Sequence, residues 1–291
     1  MRKRRDEKIV LITGCSSGIG LETAIECAKA GHRVFATMRN LDKKEKLEQR
    51  IVEEHLENVE IIRLDVSDST AIRNTIASIV RKVDNIDVLF NNAGYMVVGS
   101  LEDLTLEEIR QQINTDLMGP IHLTKLALPH MQNGDEPGLV LNMSSVAGKI
   151  GFGFSSPYCI SKFGIEGFTE SLRREMIAGG VNVNVALIEA GIVHTEFFDN
   201  IRRTEASMTS NYATKTEEMM YVIDKIKNQT EWTHPEDIAK KVVEIINEDG
   251  KLVRYVMGTD AASLINSVYA YQDNHERMDN AIEEIMGQYV N

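Results

Sequence analysis

Cysteine is scarce in this 291-residue sequence, with only Cys15, Cys27 and Cys159. An odd number of thiols without metal-ligand spacing excludes a disulfide scaffold and a zinc module, and predicts reduced thiols in a cytoplasmic protein. No apolar run approaches the ~18 residues that span a bilayer, so no transmembrane helix is expected. The run "KIVLIT" is too short for a signal-peptide core, and a glycine-rich turn follows it directly. An excess of positive charge is also missing. The formal net charge is −12, which argues against a nucleic-acid partner. The one dense basic run, Arg2–Arg5, reads as a solvated terminus. Linkers, repeats and low-complexity segments are lacking too. The expectation is one domain over residues 1–291.

What is present is an alternation of apolar, β-rich runs with helical patterns. Strands are expected at Lys8–Thr13, Arg33–Thr37, Val59–Asp65, Ile86–Asn91, Gly138–Met143, Val181–Ile188 and Val253–Met257. Helices are expected at Gly18–Ala30, Asp42–Glu54, Asp68–Val83, Leu106–Met131, Pro157–Ile177 and Pro235–Asn247. The strand runs are near-continuously apolar, as a sheet covered on both faces requires. The pattern predicts an α/β fold: a doubly wound, Rossmann-type, mostly parallel seven-stranded sheet with helices on both faces. Ligands of such sheets bind beyond the carboxyl ends of the strands. Two segments break the rhythm: an insertion at 192–233, read as a substrate lid, and a helical C-terminal extension at 259–291.

"LITGCSSGIGLETA" leaves the first strand and opens the first helix. Gly14 permits the tight turn, Gly18 a close approach of backbone to a pyrophosphate, and Gly20 close helix–sheet packing. Ser16, Ser17 and Ile19 complete the turn, and the free N–H groups of the helix suit a diphosphate. An acid ending the second strand would bind the ribose of NAD; "RVFATMRN" has Thr37 there, with Arg39 close behind. An arginine pairs with a 2′-phosphate that an acid repels, so NADP(H) is expected over NAD(H). Asp65 is placed for the adenine amino group and Val66 for its ring. In "NNAG", Ala93 and Gly94 let backbone pass the adenine ribose. Asn91 has two readings of equal weight, ribose contact or a tie between strands.

"SSPYCISKFG" sets Tyr158 four residues before Lys162, and "YVIDK" sets Tyr221 four before Lys225. On a helix, that spacing puts both partners on one face. Spacing alone therefore does not choose between them.

In "TGCSSGIG", "NNAG", "QQINTDLMG", "NMSS" and "YCISK", in that order, the chain resembles the short-chain dehydrogenase/reductase family over about Lys8 to Met257. The wording is most similar to the branch holding hydroxysteroid and retinol dehydrogenases. The resemblance implies an Asn–Ser–Tyr–Lys tetrad, carried over to Asn114, Ser145, Tyr158 and Lys162. Tyr158 would exchange a proton with the substrate oxygen. A lysine charge at ~5 Å, in an effective dielectric of ~20, is worth ~3 kcal/mol and would lower a phenol from its usual ~10 by ~2 units. Lys162 would also hold the nicotinamide ribose. Ser145, thirteen positions before Tyr158 as in the family, would fix the substrate oxygen, with Ser144 the neighbouring candidate. Thirteen positions before Tyr221 stands Met208, which has no hydroxyl, so Tyr221 and Lys225 read as helix-surface residues. Gly191, Val193 and Thr195 would meet the nicotinamide. Ala190 replaces the family's usual proline, which is expected to loosen that turn.

Tyr95, Met96, Val97, Phe152, Phe154, Phe197 and Phe198 are expected to wall the substrate space. Apolar walls favour a lipophilic ketone, aldehyde or alcohol. The expected activity is NADP(H)-dependent hydride transfer. The alternatives are a catalytically silent NADP(H)-binding regulator and a nucleotide-sugar epimerase, which also uses a Tyr-x-x-x-Lys pair. A homodimer or homotetramer is expected through the two long helices.

Overall fold

In the computed structural model, which describes residues 7–132, 136–228, 232–258, 260–271, 273–274 and 276–280, each of the seven apolar runs becomes a strand of one sheet. The Arg2–Arg5 run and residues 281–291 of the expected extension lie outside the described residues. The chain opens with β1 (Ile9–Thr13), α1 (Gly18–Lys29), β2 (Arg33–Met38), α2 (Glu45–Glu53), β3 (Val59–Arg63) and α3 (Ser69–Val83). There follow β4 (Val88–Asn91), a short β5 (Val97–Val98), α4 (Leu106–Ile113), α5 (Gly119–Ala127), β6 (Gly138–Ser145) and α6 (Ser156–Gly179). The remainder is β7 (Val183–Ala190), a short β8 (Arg202–Arg203), α7 (Ala213–Asn228), α8 (Pro235–Asn247), β9 (Arg254–Met257) and α9 (Ala261–Tyr271).

The main sheet runs β3-β2-β1-β4-β6-β7-β9, and each of its pairings is parallel. Side chains of one strand alternate between its faces. Val10 and Ile12 of β1 pack with Ala24 and Ile25 of α1 and Ile245 of α8. Leu11, between them, packs on the opposite face with Ile76 of α3, Leu123 of α5 and Leu172 of α6. Both faces are thereby dry, which is why the strand runs carry no polar alternation. Strand order reverses between β1 and β4, and the crevice opens there. Thr13 joins the two strand ends: its hydroxyl accepts from the Asn92 and Ala93 N–H groups, each at 3.0 Å.

The helix expected at Leu106–Met131 is interrupted. Thr105 and Glu108 form a capping box that starts α4, but the coil widens to a π turn at Asn114–Met118 before Pro120 enters α5. In that turn the Gly119 N–H reaches back five residues to the Asn114 carbonyl. The 192–233 excursion has structure of its own. β8 pairs with β5 in a second small sheet, and α7 buries Ile223 and Ile226. No helix among the described residues is long and apolar enough to cross a membrane.

Candidate active site

A groove of about 940 Å³ follows the carboxyl ends of the strands. Gly14 and Gly18 adopt left-handed backbone (φ +76° and +56°), where a side chain would be strained. A Cβ on Gly20 would come within 2.3 Å of the Gly14 carbonyl oxygen, so this glycine lets the turn fold onto its own helix. Ser17 caps α1 without a side-chain hydrogen bond, and the first turn of α1 holds no acid. Free N–H groups and an uncompensated positive helix end therefore face the groove. Ser16, Ser17, Ile19, Ala93 and Gly94 line it as expected. These residues fit a dinucleotide pyrophosphate. Asn92 also belongs to the turn: its amide donates to the Thr13 carbonyl at 2.8 Å.

Two cofactor assignments change. Thr37 is buried, and its hydroxyl donates to the Ile12 carbonyl at 3.1 Å, so it is not free for a ribose. The strand runs one residue further than expected, and Met38 with exposed Arg39 meets the groove. Asn91 takes its strand-tying role. Its amide donates to Asn142 of β6 at 2.8 Å and to Thr124 of α5 at 3.2 Å. Asp65 and Val66 line the groove. Asp65 Oδ1 also accepts the Ser67 N–H at 2.9 Å, while Asp68 caps α3.

At the other end, β6 delivers two adjacent serines. Both line the groove, but the Ser144 hydroxyl is engaged with Glu166, to which it donates at 2.6 Å, whereas Ser145 accepts the Ala147 N–H at 3.2 Å and lowers the Tyr158 phenol through its own hydroxyl. Lys162 Nζ donates to the Met143 carbonyl at 3.0 Å and sits 5.4 Å from the Tyr158 ring centroid. Burial lowers the Lys162 ammonium from its ordinary range. The expected depression of the phenol does not occur. Burial pushes the Tyr158 hydroxyl well above its ordinary value, and the Asp116 charge adds to the rise.

Asn114 does not join this group. Its neighbour two positions on does, because residues two apart on a coil face nearly opposite ways. Asn114 is exposed, whereas Asp116 is buried, with its Oδ2 3.7 Å from Lys162 Nζ. Burial pushes the Asp116 carboxyl up to about 7, against the pull of Lys162.

Gly191, Val193 and Thr195 reach the groove, and Thr195 packs on Gly18, its side chain 3.1 Å from where a Cβ there would sit. The turn without proline is braced rather than loose. The Ile192 N–H donates to both carboxylate oxygens of buried Asp260, at 3.1 and 3.0 Å. A Cβ on Gly191 would lie 2.1 Å from Asp260 Oδ1, so only glycine admits this brace.

Tyr95, Met96, Phe152, Phe197 and Phe198 line the substrate end; Val97 and Phe154 do not. Val97 is buried in β5, where its N–H donates to Gln112 at 2.9 Å. Phe154 has left-handed backbone (φ +61°), and its ring packs edge-on against Tyr212 of the excursion. Met219 and Ile223 of α7 and Leu264 of α9 complete the apolar wall. Exposed Arg202 stands at the same end with its guanidinium 4.7 Å from the Tyr95 ring centroid. Both helices lie beyond the motif region, so motif reading does not find these residues.

The family model described as "short chain dehydrogenase" matches residues 8–206. The chain is 35% identical over 249 residues to human "Retinol dehydrogenase 8", covering 82% of this chain and 78% of that protein. It is 31% identical over 240 residues to a "3-ketodihydrosphingosine reductase" of Bacteroides thetaiotaomicron, covering 82% and 83%. The fold matches a Burkholderia phymatum short-chain dehydrogenase/reductase solved with NAD (TM-score 0.80, 20% identity, 94% and 96% covered). It also matches a Burkholderia cenocepacia short-chain dehydrogenase solved with NADP (TM-score 0.68, 24% identity, 86% and 96% covered).

Proposed function

This chain belongs to the short-chain dehydrogenase family of oxidoreductases, and from that premise we propose that it interconverts a lipophilic ketone or aldehyde with its alcohol, using NADP(H). The observation that carries the reading is that Ser145, Tyr158 and Lys162 line the apolar end of one dinucleotide-shaped groove, with Lys162 Nζ 5.4 Å from the Tyr158 ring centroid.

A nicotinamide held beside Gly191, Val193 and Thr195 would supply or accept the hydride at the substrate carbon. Every other task falls to side chains. Ser145 and Tyr158 hold the substrate oxygen between two hydroxyls. In reduction the carbonyl π bond breaks, the carbon gains the hydride, and the oxygen takes the Tyr158 proton. The phenolate left behind is stabilised by Lys162 and regains its proton from solvent. With its hydroxyl held well above the ordinary range, Tyr158 is a phenol at neutral pH, the form that donates in reduction. Apolar walls from α7 and α9 exclude water and select a lipophilic substrate.

Arg39 supports NADP(H), because it stands exposed beyond β2 with no acid ending that strand. Exposed Met118, Ile160 and Phe163 leave an apolar surface beside α5 and along α6, which supports a homo-oligomer. The test is a panel of aliphatic, steroidal and aromatic ketones with NADPH, run beside Tyr158→Phe. Turnover that requires Tyr158 is expected. Full activity in the variant removes the assignment.

A further inference from the structure

A buried carboxylate stands 3.7 Å from the Lys162 ammonium, where the family resemblance leads one to expect an amide. Asp116 is fully enclosed. Its Oδ1 accepts the Tyr95 N–H at 3.3 Å, and its Oδ2, 3.7 Å from Lys162 Nζ, has no hydrogen-bond partner. An unbonded carboxylate oxygen in a dry site is costly, and a charge partner is what offsets it. The approach is tight as well: a Cβ on Gly94 would lie 2.7 Å from Oδ2, so the backbone of the groove packs directly on this carboxylate.

The charged and titratable groups facing Asp116 are few. α6 presents Lys162 and Tyr158, and the loop after β4 presents the Tyr95 phenol. α4 presents Gln112, which is uncharged and bonded to the Tyr95 carbonyl at 2.7 Å. Glu166 acts on Lys162 from the next turn of α6. Lys162 is thus the only cation among them. Any negative charge on Asp116 is felt first by Lys162 and then by Tyr158, on the same helix face.

We propose that Asp116 is a positioning residue of the reaction: its carboxylate pairs with Lys162, offsets that charge at Tyr158, and keeps the Tyr158 hydroxyl protonated for donation to a carbonyl. This rests on the oxidoreductase reading for its purpose, but not for its electrostatics. The pair acts above neutrality, where the carboxyl is ionised. There it delays the loss of the Tyr158 proton and so extends reduction to higher pH. With a neutral amide at 116, Lys162 would act on Tyr158 unopposed, and the phenol would lose its proton earlier.

The test places 3-fluorotyrosine at position 158 and follows its fluorine resonance with pH in cofactor-free protein. Asp116→Asn keeps an oxygen for the Tyr95 N–H while removing the charge. Its titration midpoint is expected to fall by about one pH unit or more. In parallel, the alkaline limb of kcat/KM for carbonyl reduction should move down by a similar amount, with activity at neutral pH changed less. A purely structural role would lower activity at every pH and leave the limb and the midpoint in place, and that result overturns the proposal. If Asp116→Asn does not fold, Asp116→Ser removes the same charge with less bulk and carries the same expectation. Shifted midpoints in a protein that reduces no carbonyl would keep the coupling and sink the oxidoreductase reading. Turnover with coincident midpoints would do the reverse.

Discussion

Two tyrosine–lysine pairs in this molecule share one internal geometry. Lys162 Nζ lies 5.4 Å from the Tyr158 ring centroid, and Lys225 Nζ lies 5.4 Å from that of Tyr221. Both contacts follow from four-residue spacing on a helix. Their surroundings differ in every respect that matters. Lys162 is buried, held by the Met143 carbonyl and faced by Asp116, with Ser145 lining the same groove as its tyrosine. Lys225 and Tyr221 are exposed on the outer face of α7, whose buried face is Thr216, Ile223 and Ile226. A helix makes the contact; a strand end, a buried acid and a groove make it chemistry. In water the second pair's charge is screened and its phenol has no substrate to meet.

The comparison breaks most sharply at the tyrosines. Tyr158→Phe should lower kcat about a thousandfold, whereas Tyr221→Phe should leave it unchanged in the same assay. Equal losses in both would mean that the groove is not where turnover occurs. The surroundings of the first pair can then be removed one at a time. Arg39→Asp should shift the ratio of kcat/KM for NADPH over NADH by about a hundredfold towards NADH, since it replaces an attractive charge with a repulsive one. An unchanged ratio removes Arg39 from the cofactor contact.

Asp260→Ala should weaken cofactor binding about tenfold, measured by fluorescence titration, because the Ile192 N–H loses both acceptors and the Gly191 turn its brace. Unchanged affinity would show that the turn holds itself. A further effect is read in stability rather than in turnover or affinity. The Asp116 carboxyl is raised from 3.8 to about 7, so its contribution is complete below pH ~4 and lost as pH rises through ~7. Thermal unfolding of the parent protein, measured against Asp116→Asn, should therefore lose ground between pH 5 and 8. That loss is expected to be about 2–4 kcal/mol. Parallel curves would place the ionisation elsewhere.

Strands and most helices are legible in the sequence because a sheet covered on both faces requires unbroken apolar runs. The glycine turn is legible because few residues tolerate its backbone. Misplacements cluster where one or two residues of phase decide what faces inward. Asn114 and Asp116 are two positions apart on a coil whose π turn has no local composition signal. Thr37 was the expected strand end, but β2 runs one residue further and turns its hydroxyl into the core. Phe154 is aromatic and near the site, yet its left-handed backbone points the ring at Tyr212. Asp260 could not be read at all, since its partner Ile192 lies 68 residues earlier and nothing in either neighbourhood announces the bond.

That long-range brace sets an order of events during synthesis. All seven strands of the sheet are translated before Asp260, and so are the glycine turn, Ser145 and Tyr158. A growing chain can therefore pair six of those strands, through β7, while the Gly191 turn still lacks its clamp. The brace of the Gly191 turn arrives last, with the start of α9, so a molecule cut short just after β9 would keep its strands and lack that brace.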